Sequence, residues 1–238
     1  MLNLVFRLDA SKKIGGGHLS RCISIAEYAK KYNNFRIHFI SNYKDEILSE
    51  KLKKIKHNLV NPKTNYEKFN YKKDINFTLS YIKNLNDIIM IVDHYKIDAK
   101  WEKIIKKYCI KLIIIDDLAN RRHFCDILLD QNLISNYQTR YYKLINKNCK
   151  VLTGPKYALL APEYLNKNKN VRKKNEYKKR ILIFFGSYDF YSLTIKVLKL
   201  IIKNIDHYNL KIEIILNQKH PTFKIINKLI TNHNNINL

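Results

Sequence analysis

The sequence predicts an α/β protein of two units, each built on a mostly parallel sheet. Three observations lead there. Short runs rich in Ile, Leu and Val alternate with amphipathic stretches, as in βα units. The alternation stops in a lysine- and asparagine-rich stretch, residues 164–180, and then begins again. Several apolar runs end in acidic residues or open onto glycine turns, the edge at which open parallel sheets bind ligands. A chain of 238 residues, 46% of them hydrophobic, can bury the cores such a plan needs.

Taken in order, Leu2–Leu8 is the first strand and residues 18–31 the first helix, because Leu19, Cys22, Ile23, Ala26 and Ala29 recur at helical spacing. Ile37–Ile40 predicts a second strand and Tyr43–Lys54 a second helix. Asn58–Thr78 is polar and carries little periodicity, with a helix opening at Asn76–Asn84. Ile88–Val92 and Leu112–Ile115 are buried strands flanking a helix at Ala99–Tyr108; the first runs into Asp93 and the second into Asp116 and Asp117. A strand at Ile127–Leu129 and a helix around Tyr141–Ile145 complete a first domain over 1–155. A junction and linker, 156–180, then leads to a second domain over 181–238. That domain reads as strand Ile181–Phe185, helix to about Lys203, strand Ile212–Leu216, helix Phe223–Ile230, and a strand opening at Ile236–Leu238. Two or three strands are few for an independent parallel sheet, so this unit is expected to be incomplete.

The formal charge of +25 raises the question of nucleic acid, but the lysines are spread along the whole chain among Asn, Ile and Tyr. That distribution argues for a solvated basic surface, with a field that suits a phosphate-bearing small molecule. No apolar stretch approaches the roughly 18 residues of a membrane span, and the start, where Arg7 interrupts the first apolar run, is unlike a secretory signal. Cys22, Cys109, Cys125 and Cys149 lie far apart, with no CxxC pair and no zinc-like spacing, and are expected as reduced thiols in a cytoplasm.

The densest local chemistry runs from Arg7, Leu8, Asp9 through Gly15, Gly16, Gly17 and His18 to Arg21. Glycines admit close backbone approach, and the helix that starts at His18 turns free amides and its positive end toward an anion. The same dipole disfavours imidazolium, so a neutral His18 is expected, able to act as a general base with Asp9 holding its tautomer. Arg21, one turn along, is placed to pair with Asp9 or a substrate phosphate. An ordinary strand-to-helix turn with a capping histidine satisfies the same spacing, so the pattern alone leaves both readings open.

The segment FRLDASKKIGGGHLSRC resembles the amino-terminal motif of the UDP-2,4-diacetamido-2,4,6-trideoxy-β-L-altropyranose hydrolases of pseudaminic acid biosynthesis. Three further segments resemble the family in the same order: IIMIVDHYKID, with Asp93, His94 and Tyr95; IIIDDLANRRHFCDILLDQNL, ending in Asp130, Gln131 and Asn132; and LTGPKYALLAPEY, Gly154–Tyr164. The resemblance implies two Rossmann-like domains as in GT-B glycosyltransferases, the second incomplete. It implies hydrolysis of a UDP-sugar by attack of water at the anomeric carbon, with no cofactor or metal. His18 falls on the family's catalytic histidine. The substrate-binding candidates around it are Asp9, Gly15, Gly16, Gly17, Arg21, Asp93, His94 and Tyr95, with Asn132 and Tyr157 further along and Gly186 and Asp189 in the second domain. Asp116 and Asp117 are left between orienting loops and touching substrate, and Leu159 is assigned to packing. A monomer acting on a small-molecule UDP-sugar, away from membranes, is expected.

The chain departs from the family at three places. Ser187 and Tyr188 follow Gly186 where a second glycine and Ser or Thr are usual, and Ala161 stands in place of an arginine. The second domain ends early by comparison, so a truncated product with weak or absent turnover is expected. The rival readings are a GT-B-like glycosyltransferase with a UDP-sugar donor, and a non-catalytic module that binds nucleotide sugar or nucleic acid.

Overall fold

The computed structural model describes residues 1–10, 16–32, 34–43, 58–62, 68–165, 179–186, 188–189, 191–205, 208 and 210–238. They divide into two compact units, Met1–Asn166 and Lys167–Leu238.

The first unit is a seven-stranded, all-parallel sheet in the order β3-β2-β1-β4-β5-β6-β7. Its strands are β1 (Leu2–Ala10), β2 (Phe35–Tyr43), β3 (Asn58–Val60), β4 (Ile88–Asp93), β5 (Lys111–Ile115), β6 (Ile127–Asp130) and β7 (Lys150–Thr153). The helices are α1 (Gly17–Lys30), α2 (Tyr71–Ile82) and α3 (Ala99–Ile105), the last continued by a 3-10 turn, Lys106–Tyr108. β1 and β4 are buried on both faces, which is why β4 reads as an unbroken apolar run up to Asp93 and β1 as one interrupted only by the buried Asn3, Arg7 and Asp9. Trp101 of α3 is fully buried in the core beside Met90, Val92 and Ile114.

Strand order reverses between β1 and β4, since the chain leaves β1 toward β2 and β3 and returns on the other side. A doubly wound sheet opens its ligand crevice at such a point, beyond the carboxyl ends of the strands. His18 follows β1 and Asp93 ends β4, so the topology itself brings these two residues together.

The second unit is a separate three-stranded parallel sheet, β8 (Lys179–Ile183), β9 (Leu210–Ile214) and β10 (Ile236–Asn237), in the order β10-β9-β8. α4 (Leu193–Ile201) and α5 (Phe223–Ile230) pack Leu198 and Ile226 against Ile183, Ile212 and Ile214.

Three expectations need correction. The helix expected around Tyr141–Ile145 is a run of turns, because the Leu144 carbonyl accepts the His123 amide at 2.6 Å and Tyr141 is fastened elsewhere by its hydroxyl. α2 begins at Tyr71, five residues before the expected Asn76. The Asn70 side chain caps it by accepting from the Lys73 amide at 3.0 Å, and its inner face buries Asp74 and Thr78, which hides the apolar stripe. β7 is absent from the expected strands; at four residues it is too short for periodicity to show. The helix expected at Tyr43–Lys54 lies outside the described residues, apart from Tyr43, which ends β2. Among the described residues no helix is long and apolar enough to cross a membrane.

Candidate active site

His18 is the second residue of α1 and only 5% exposed. Its Nδ1 lies 3.0 Å from the backbone carbonyl of Asp93 and 3.0 Å from the Asp93 carboxylate. Two acceptors on one nitrogen place a proton there, so that in the neutral ring Nε2 carries the lone pair. That Nε2 is buried and has no protein partner among the described residues. The Tyr95 ring stands edge-on to the imidazole, with centroids 4.4 Å apart at 89°. Gly17, just before His18, is exposed, and a Cβ there would meet nothing within 4 Å.

The partner of His18 is therefore Asp93, and the expectation for Asp9 is corrected. Asp9 is 1% exposed and already committed: Oδ1 takes Arg7 Nη1 at 2.5 Å and the Asn42 amide at 3.0 Å, while Oδ2 takes His94 Nε2 at 3.1 Å. Arg7 also forks onto Asp74, whose Oδ1 in turn accepts Trp101 Nε1 at 2.9 Å. Burial works against the Asp9 charge, but the Arg7 guanidinium and the His94 hydrogen bond hold its pKa down at about 2. His94 is buried too; its Nδ1 accepts the Lys96 amide at 3.2 Å, and burial favours its neutral form. Asp9 and His94 thus belong to a buried polar cluster beneath the site and do not line its surface.

Arg21 is likewise placed differently from expectation. Its Nε and Nη2 grip the Asp93 carboxylate at 2.5 and 2.6 Å, and its Nη1 reaches Asp117 at 3.0 Å. The Tyr95 hydroxyl donates to the same Asp117 oxygen at 3.4 Å. A bidentate guanidinium–carboxylate pair of this kind locks both side chains. His18, Asp93, Arg21, Asp117 and Tyr95 form one connected set, drawn from α1 and from the ends of β4 and β5.

The electrostatics also reverse an expectation. Burial lowers the His18 pKa, yet the hydrogen bond and charge of Asp93 overcome it and raise the pKa above 6.5, with Arg21 opposing. A full negative charge at hydrogen-bond distance is worth about 1.5–3 kcal/mol. A helix end is worth roughly 0.3–1 kcal/mol, so the dipole loses. Burial pushes Tyr95 up to about 12, with Asp117 adding to it, so this hydroxyl keeps its proton at neutral pH.

The other candidates fall elsewhere. Gly16 is the buried N-cap of α1, which carries no side-chain cap; Gly15 lies outside the described residues. Asn132 follows β6 and Tyr157 follows β7, two and three strands from β4, or about 10 and 14 Å at the usual strand spacing. Tyr157 lines a cavity of about 340 Å³ with Tyr137, Gln138, Thr153 and Lys156. In the second unit the Asp189 carboxylate accepts the Leu193 and Thr194 amides at 2.7 and 3.0 Å, the first two of α4, whose N-cap residue is Ser192. Gly186 holds φ 81°, with open space where a Cβ would stand. Among the described residues no group of three or more His, Cys, Asp or Glu is arranged to hold a metal ion.

The pairing roles of Asp93 and Asp117 are not visible in the sequence. The available signal is their position, acidic residues at the carboxyl ends of strands beside the switch point. Asp74 and Trp101 carry no such signal.

The first unit is thus an open, parallel α/β sheet with a connected polar cluster at its strand ends. No protein-family model matches the chain. It is 29% identical over 225 residues to an uncharacterized protein of Methanocaldococcus jannaschii, covering 93% of this chain and 44% of that one. It is also 29% identical over 238 residues to the UDP-2,4-diacetamido-2,4,6-trideoxy-beta-L-altropyranose hydrolase of Campylobacter jejuni, covering 100% of this chain and 77% of the hydrolase. The relationship to that hydrolase is a distant one. Among solved structures, a glycosyltransferase from Rickettsia africae shares the fold at a TM-score of 0.50 and 16% identity, over 99% of this chain and 67% of that one.

Proposed function

We propose that this chain is a nucleotide-sugar hydrolase that releases UDP from UDP-2,4-diacetamido-2,4,6-trideoxy-β-L-altropyranose, with His18 as the general base. The distant relationship to the Campylobacter hydrolase supports a nucleotide-sugar-related function. The observation that carries the chemistry is the His18 ring: Nδ1 is held by Asp93, and Nε2 is buried and unpartnered among the described residues. A buried nitrogen left in that state costs about 1–3 kcal/mol, which a water or substrate hydroxyl at Nε2 recovers.

In this reading the water at Nε2 attacks the anomeric carbon. Its proton passes to Nε2, a C–O bond to the sugar forms, and the bond from the anomeric carbon to the β-phosphate oxygen breaks, with its electron pair leaving on UDP. The developing imidazolium is stabilised by the Asp93 carboxylate, as a buried acid stabilises histidine in other base-catalysed sites. Gly17 leaves room for the diphosphate to approach the uncapped first turn of α1. Tyr95 closes one side of the imidazole and stays protonated there.

The test is UDP release from the diacetamido sugar nucleotide in oxygen-18 water. Wild-type protein is expected to place the label in the sugar, and His18→Asn to lose about 10²–10⁴-fold in rate, the usual contribution of a positioned base. Equal rates in the two proteins, or label in the phosphate, would remove His18 or the anomeric carbon from the reaction. Release that needs an added acceptor would make the protein a glycosyltransferase instead.

A further inference from the structure

Cys125 and Cys149 are 24 residues apart in sequence, yet their sulfurs lie 3.5 Å from each other. The pairing of β6 with β7 creates this contact. Ile127 stands opposite Lys150, so the residues just before the two strands meet at the same edge of the sheet. One residue holds both: the Cys125 amide donates to Asn146 Oδ1 at 3.0 Å, and the Cys149 amide donates to the Asn146 backbone carbonyl, also at 3.0 Å. The Lys150 amide bonds to the Asp126 carbonyl at 2.9 Å, which pins the neighbouring peptides as well. The two thiols are thus in van der Waals contact, on backbones fixed at three points, with no other group between the sulfurs that would have to leave before they bond.

We propose that Cys125 and Cys149 form a reversible oxidative modification site, closed to an intramolecular disulfide by a low-molecular-weight disulfide oxidant. Exposure divides the roles. Cys149 is partly exposed, whereas Cys125 is 3% exposed. The hydrogen bond from Cys125 holds the Cys149 thiol below its usual range, while the same bond and burial push Cys125 up. Cys149 is therefore the attacking thiolate, and Cys125 the resolving thiol.

The exchange balances. The Cys149 thiolate attacks one sulfur of the oxidant, forming a mixed disulfide and expelling one thiolate. That thiolate takes the Cys125 proton, and the Cys125 sulfur attacks the Cys149 sulfur and expels the second thiolate. Two electrons pass from the cysteine pair to the oxidant, which leaves as two reduced molecules. The closed loop contains Asn132, the cavity-lining Tyr137 and Gln138, and Tyr141, whose hydroxyl donates to the Asp116 carbonyl at 2.8 Å. Oxidation thus tethers the segment that walls the cavity beside Tyr157.

The experiment uses the full chain, reduced, desalted and equilibrated with glutathione disulfide, then alkylated and mapped by mass spectrometry with and without reductant. The expected result is loss of two of the four thiols, a peptide cross-link between Cys125 and Cys149, and recovery of both thiols on reduction. Cys22 and Cys109, both buried, serve as internal controls and stay unlinked. Cys149→Ser is expected to abolish the cross-link without trapping glutathione on Cys125. Retention of all four thiols, a product that stops at glutathionylated Cys149, or a cross-link only between chains would overturn the proposal. The mapping of the unmutated chain decides the matter even if the variant does not fold.

Discussion

Asp93→Asn removes the charge from the carboxylate that holds His18 while keeping its size, and the surrounding geometry determines the consequence. The His18 Nδ1 proton is shared between the Asp93 carboxylate and the Asp93 backbone carbonyl, each at 3.0 Å. The backbone acceptor survives the substitution, so the tautomer is retained. In Ser-His-Asp proteases, where the corresponding change yields the wrong tautomer, the loss is about 10⁴ in kcat. Here a smaller loss is expected, about 10- to 100-fold, from the missing charge opposite the forming imidazolium. The pH dependence carries the sign. Asp93 raises the His18 pKa against burial and Arg21, so without its charge the pKa falls. The acid limb of kcat/KM therefore moves to lower pH in Asp93→Asn. In Arg21→Gln, which removes an opposing charge, it moves to higher pH. Stability falls as well, because Arg21 loses a bidentate partner and keeps only Asp117, a cost of about 2–3 kcal/mol for a largely buried charge. UDP release measured from pH 5 to 9 on both variants, with thermal melts alongside, checks all three. Limbs that stay in place, or that move in the same direction in both variants, would refute the account of how His18 is tuned.

Asp74→Asn should destabilise the first unit by about 3–5 kcal/mol in chemical denaturation, since it leaves Arg7 buried with one of its two carboxylate charges removed. A cost under 1 kcal/mol would mean that Asp9 alone satisfies the guanidinium. His123, between Glu102 at 2.7 Å and Asp116 at 3.8 Å, has its pKa lifted to about 9: burial opposes the charge, and the two carboxylates outweigh it. A raised histidine contributes stability in full below pH 6.5 and loses it as pH rises through 9, an effect of about 3 kcal/mol. Melting temperatures from pH 6 to 10 should show that decline, and His123→Gln should flatten it. Gly154→Ala should cost about 1–3 kcal/mol, because φ is +96° and the new Cβ would sit 2.8 Å from the Tyr137 ring; an unchanged melt would show that the turn relaxes freely.

The parts of the fold that are legible in the sequence are those that packing governs. β1, β4 and β5 lie inside the first sheet and read as apolar runs, and α5 spans Phe223–Ile230 as expected, because its apolar residues recur every three or four positions. β3 and β7, at the two edges, and α2, with its buried Asp74, are obscured because polar residues occupy inner positions or the strand is too short to show a period. At the site, His18 is legible from the glycine turn and Asp93 from its strand end. Their pairing is not, because it depends on β4 lying beside β1, a contact between residues 75 apart in the chain. Asp9 is nearer in sequence, and that proximity alone made it the expected partner. The structure gives it to Arg7 and His94.

Each group that sets the imidazole comes from a single sheet edge in the first 117 residues: the ring from the start of α1, its acid from β4, and the clamp on that acid from α1 and the end of β5. No group beyond Asp117 is needed to seat the proton on Nδ1. The orientation of this ring is thus written into the strand ends of the first sheet, where a change to Asp93, Arg21 or Asp117 turns or frees it.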